Sequence, residues 1–83
     1  MTLKELFRQK LIDNGLFKNM ADDILKLAET DKVLEKTMAN RWNDNKEGYP
    51  PFALAAIWLP IKRITLKYID DNIPEAWFRN LFI

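Results

Sequence analysis

Hydrophobic positions recur at three- and four-residue spacings along most of the chain, which is the period of amphipathic helices. Leu3, Leu6, Phe7 and Leu11 fall on one face, with Lys4, Arg8 and Lys10 off it. Thr2 is an N-cap for this helix, and Glu5 at the third helical position completes a capping box. Asn14-Gly15 closes it, because glycine takes a left-handed conformation without a Cβ clash. Leu16 and Phe17 are then expected to cross into the core. A second helix is predicted from Asn19, with Asp22 and Asp23 in its first turn, where the positive helix end favours carboxylates. Its apolar stripe reads Met20, Ile24, Leu27 and Ala28. Thr30-Asp31 either caps a third short helix carrying Val33, Leu34 and Met38, or only bends the second.

The stretch "RWNDNKEGYPP", Arg41 to Pro51, reads as a loop, since Asn, Asp, Gly and Pro each favour turns for their own reasons. Tyr49 is held extended by the proline that follows it, and Pro51 suits a first helical turn. A long helix follows, from Phe52 to about Asn72. Its first half is apolar all round, which predicts a helix surrounded by other elements. Leu54, Ile57, Trp58, Ile61, Ile64, Thr65 and Tyr68 make its stripe, and Trp58 is assigned to the core. Pro60 is expected to kink the axis, at a cost of roughly 3 kcal/mol unless the fold uses the bend. Asn72 can end the helix in a left-handed conformation. Pro74-Glu75 then opens a final short helix, "PEAWFRNLFI". No strand pattern competes. The expected fold is therefore one all-α domain over 1–83: a compact bundle of four to five helices around a central Pro-kinked helix at about 52–72.

Composition narrows the function classes. With 83 residues and no cysteine, the chain has no disulfide and no thiolate metal site. Thirteen basic and 12 acidic residues leave a formal charge of +1, less basic than is usual for a small nucleic-acid binder. "MTLKELFRQK" has charges inside its apolar pattern, unlike a signal peptide. The uncharged run that follows Tyr49 stops at Lys62, short of the roughly 18–20 residues of a membrane span. No membrane partner is expected, and the expected location is cytoplasmic.

Histidine, cysteine and serine are all absent. Nucleophilic triads are thereby excluded apart from Thr or Lys variants, and zinc lacks its usual ligands. Asp22/Asp23 and Asp70/Asp71 are adjacent carboxylates, but neighbours on a helix point in different directions. The loop "NDNKEG" matches the opening positions of a calcium loop, yet the twelfth position falls on Leu54, which cannot ligate. No catalytic residue, metal or cofactor is assigned. Two surface readings remain. Arg41, Trp42, Asp44 and Tyr49 of the loop, with Trp77, Phe78 and Phe82 of the tail, form a candidate protein-binding set, since aromatics beside a loop either staple it or anchor a partner. Lys62, Arg63, Lys67 and Arg79 form the alternative, a basic face for phosphates, with few charges for counterion release.

"RWND", "EGYPP", "AAIWLPIKRITLKYIDDN" and "PEAWFRNLF", together with "NGLF" after the first helix, resemble short proteins encoded by tailed phages and prophages. The resemblance spans nearly the whole chain. It implies phage origin and a place in the host cytoplasm, and it carries no residue roles. The function expected is that of a non-catalytic interaction protein that occludes a host or phage protein, such as a defence or nucleic-acid-processing enzyme. The alternatives are a nucleic-acid-binding accessory protein and a structural homo-oligomer, a homodimer being the simplest.

Overall fold

The computed structural model describes residues 1–31, 42–73 and 79. Among them lie three α-helices: α1 (Leu3–Asp13), α2 (Lys18–Thr30) and α3 (Pro51–Asn72), with a 3₁₀ turn at Lys46–Gly48. The one extended pairing among the described residues is an isolated antiparallel bridge between Thr2 and Asn45. The fold is all-α. Three helices stand where four to five were expected; the short helices assigned around Val33–Met38 and after Pro74 lie outside the described residues. Among those residues, no helix is long and apolar enough to cross a membrane.

Helix α1 is specified at both ends. The Thr2 hydroxyl accepts from the Glu5 N–H at 3.2 Å, and the Glu5 carboxylate accepts from the Thr2 N–H at 3.3 Å, closing the capping box. At the other end Gly15 has φ 111°, a conformation open to glycine and strained for residues with a Cβ. This lets the Gly15 N–H reach Ile12 O at 2.9 Å and the Leu16 N–H reach Leu11 O at 3.2 Å. The pair of bonds is a Schellman motif, and the two leucines it joins are both buried. Leu16 therefore enters the core as expected. Phe17 does not: it is the N-cap of α2 and stays 65% exposed.

The start of α2 at Lys18 places Asp22 and Asp23 in its second turn instead of its first. The buried face is Ala21, Ile24, Leu25 and Ala28. Met20 and Leu27 lie to the side of it, with Leu27 47% exposed. Among the described residues this helix, and not α3, is the central one. Small side chains let neighbouring axes approach, and α2 packs against both α1 and α3. For the described residues, the expectation that the other elements wrap around the long helix is thus corrected.

Helix α3 runs unbroken through Pro60. That proline deprives the Ala56 carbonyl of its intrahelical donor. Ala56 is exposed, so water can replace the lost bond. The inner face buries Ile57, Ile61, Thr65 and Ile69, with the Thr65 hydroxyl satisfied by Ile61 O at 2.8 Å. The apolar first half is not surrounded, because Phe52 is 78% and Leu59 67% exposed. Trp58 packs on the edge of the core and is half-buried. Its ring stacks on Phe7 at 6.3 Å, and the Lys10 ammonium sits 4.6 Å from the ring centre. Asn72 stays helical, its side chain donating to Tyr68 O at 3.0 Å, and Ile73 leaves in an extended conformation.

Candidate functional site

The first four N–H groups of a helix lack intrahelical acceptors. In α1 two of them are taken up by the distant loop. The Leu3 N–H donates to Asp44 O at 2.9 Å and the Lys4 N–H to Trp42 O at 3.0 Å. The other two close on the cap, Glu5 N–H to the Thr2 hydroxyl and Thr2 N–H to the Glu5 carboxylate, and Leu6 N–H to Thr2 O at 2.9 Å is the first regular helical bond. A return bond runs from the Lys46 N–H to Met1 O at 3.1 Å. The loop is therefore fixed on the positive end of α1 by three backbone bonds between residues some forty positions apart.

Its side chains divide accordingly. Trp42 turns inward, 8% exposed, with its ring 6.2 Å from that of Phe7. Its buried Nε1–H has no acceptor among the described residues. Tyr49 is half-buried against the core, and its hydroxyl donates to the Asp44 carboxylate at 2.8 Å. Both aromatics staple the loop, so neither is a free anchor for a partner. Asn43, Asp44, Asn45 and Glu47 are exposed. Asn45 has a role of its own, as N-cap of the 3₁₀ turn. Arg41, Trp77, Phe78 and Phe82 lie outside the described residues, so the expected loop-and-tail surface is placed only for its loop half.

The basic set is brought together in part. Arg63 and Lys67 are exposed one turn apart on α3, and half-buried Lys62 lies around the axis from both. Arg79 is engaged elsewhere: its guanidinium Nε lies 3.1 Å from Asp70 Oδ1. That bond also accounts for an acid at a helix C-terminus, which the helix dipole disfavours. The adjacent acids of α2 diverge. Asp22 accepts from Arg8 at 2.8 Å, and this hydrogen bond holds its carboxyl below the usual carboxylate range. Asp23 accepts from the Tyr68 hydroxyl at 3.2 Å. Partial burial, then this bond, pushes the phenol of Tyr68 above its ordinary value. Neither acid is placed to exchange protons with the other. Among the described residues, no group of three acidic, His or Cys side chains is arranged to hold a metal ion.

An open groove of about 650 Å³ runs between the C-terminal halves of α2 and α3. Leu27 and Ile64 give it apolar walls, and Lys67 and Asp71 charge its rim with opposite signs.

Sequence reading missed the outer face of α3. Phe52, Ala55, Ala56, Leu59 and Arg63 recur at helical spacing opposite Ile57, Ile61 and Thr65, and all five are exposed. The signal was present in the period, but the uncharged run hid it. Alanine counts as apolar without needing burial.

Comparison of the chain with protein-family models, with curated proteins and with solved structures finds no match.

Proposed function

We propose that this chain is a non-catalytic binding protein of phage or prophage origin, which occludes a protein partner through the exposed side of the docked loop. The observation that carries this reading is the backbone anchoring of the loop on α1. A loop held in one shape before binding loses little freedom on binding, and exposed polar groups on a rigid support are how recognition loops work. Asn43 and Asp44 are the exposed groups nearest the anchoring bonds. The near-neutral charge and the absence of His, Cys and Ser agree with binding instead of chemistry.

The test is capture from a host-cell lysate followed by mass spectrometry. Wild type should retain a defined protein, and the N43R/D44N variant should fold and lose it. The triple substitution K62Q/R63Q/K67Q should keep it. Capture that survives the loop substitutions but fails in the glutamine variant would move the function to α3. Salt-sensitive binding of that face to DNA would then support the nucleic-acid reading, which one observation favours: no ion pair among the described residues engages Lys62, Arg63 or Lys67.

A further inference from the structure

Asn14-Gly15, at the end of α1 opposite the docked loop, carries a chemistry of its own. When glycine follows asparagine, its backbone nitrogen can attack the asparagine side chain, because no Cβ on the second residue blocks the approach. We propose that Asn14 is a self-modification site, held shut by the Schellman turn that closes α1 and exposed when that turn opens.

In the reaction a bond forms between Gly15 N and Asn14 Cγ, and the bond between Cγ and Nδ2 breaks. The Nδ2 group leaves as ammonia, carrying the proton that Gly15 N gives up, and a five-membered imide remains. Water then opens the imide at one of its two carbonyls. Opening at Cγ gives aspartate. Opening at the main-chain carbonyl gives isoaspartate, in which the chain runs through Cβ.

Three features of the folded turn oppose ring closure. Asn14 has ψ 0°, so Gly15 N lies alongside the Asn14 backbone nitrogen and away from the Cβ branch that it must reach. The Gly15 N–H is held by Ile12 O at 2.9 Å. The Asn14 Nδ2 group donates to Lys10 O at 2.7 Å, which ties the side chain back along the helix. Buried Leu11 and Leu16 clamp the turn to the core, so it opens less readily than a bare helix end frays. Gly15 is exposed and Asn14 half-buried, so water reaches the imide once the turn has opened.

The product does not close the turn again. Aspartate sets a carboxylate beside Lys10 O where a donor stood, at the helix end that disfavours negative charge. Isoaspartate adds one carbon to the main chain between the carbonyls of Leu11 and Ile12 and the N–H groups of Gly15 and Leu16 that meet them. Each opening that reacts is therefore recorded in the covalent structure.

The test incubates the full chain in mildly alkaline buffer, native and in guanidinium chloride, with peptide mass mapping and isoaspartate detection. In denaturant Asn14 should convert, with isoaspartate among the products. In native buffer the rate should fall by at least about tenfold. N14Q, whose longer side chain does not form the five-membered ring, should stay unmodified at this position in both. L16A, checked for retained helicity, should raise the native rate, because it loosens the clamp and leaves Asn14-Gly15 intact. N14D, the aspartate product made directly, should unfold at lower denaturant than wild type. Equal rates in the native and denatured chain overturn the guarding by the turn. A denatured chain that yields no product at Asn14 overturns the site itself. An N14D midpoint equal to wild type overturns the conclusion that the product leaves the turn open.

Discussion

Helices α1 and α3 are held in opposite ways. Helix α1 has 11 residues, and its limits are fixed by bonds at its ends: a capping box, two loop carbonyls and a Schellman turn. Helix α3 is twice as long, with 22 residues and no side-chain cap at its start. It tolerates a proline at position 60 because Ile57, Ile61, Thr65 and Ile69 fasten it along one side. A short helix needs its ends satisfied, since nucleation is costly and few turns share the cost. A long helix with a buried stripe does not, and its opposite face is left free for other contacts.

The largest test of this contrast lies where the two helices meet. Phe7, 1% exposed, stacks on both Trp42 and Trp58. Phe7→Ala should cost about 3–5 kcal/mol, and half-buried Trp58→Ala less. Because that rivals the whole stability of a small domain, Phe7→Leu is a readable companion at roughly 1 kcal/mol. Urea titrations that rank Trp58 above Phe7 would restore the long helix as the axis of the fold.

The two faces of α3 should separate almost as widely. Ile61→Ala removes a side chain with no exposed surface and should cost about 2–5 kcal/mol. Leu59→Ala, two residues away on the outside, should change stability by no more than about 0.5 kcal/mol at dilution. Equal losses from chemical denaturation would mean that the outer face is covered within the chain.

The two glycines sharpen the account of α1. Gly15→Ala should cost about 1–2 kcal/mol, since an L-residue is strained at φ 111°. At Gly48 a Cβ meets nothing within 4 Å and φ is not positive. Gly48→Ala should stay within about 0.5 kcal/mol. Differential scanning calorimetry on the pair reads this directly.

The smallest effect is electrostatic. The hydrogen bonds from Thr2 lower the Glu5 carboxyl from its ordinary value, and the bond from Arg8 does the same for Asp22. A depressed folded-state pKa gives stability that is present above the unfolded value and lost as pH falls through the folded one. The melting temperature should therefore decline modestly below about pH 4. Thr2→Ala should cost about 1 kcal/mol at neutral pH and flatten part of that decline. An unchanged acid slope in Thr2→Ala would separate Glu5 from the cap.

Much of this was legible in local sequence. Thr2 with Glu5, Asn14-Gly15 and Pro51 mark helix ends through contacts within a few residues, which no distant element has to supply. The inner stripe of α3 was legible too, because a 3.6-residue period shows wherever one side of a helix meets a core. Of the stripe expected for α2, Ile24 and Ala28 are buried, while Ala21 and Leu25 take the places expected of Met20 and Leu27. Leu25 and Leu27 lie on nearly opposite sides of the helix, and only the neighbours decide which of the two is buried.

The candidate site belonged almost entirely to the tertiary structure. No local signal says that the carbonyls of Trp42 and Asp44 complete the first turn of α1. Their acceptors and donors meet only after the chain has folded back on itself. That meeting ties the loop to α1, with Trp42 turned inward. The exposure of Phe17, Phe52 and Leu59 was decided in the same way. Hydrophobicity tells how strongly a side chain prefers burial, and geometry decides whether there is anything on that side to bury it. The sequence by itself determined an all-α chain, the limits of its first helix and the stripe of its last. Only the packing of distant segments decided which helix lies in the middle and which surface remains open.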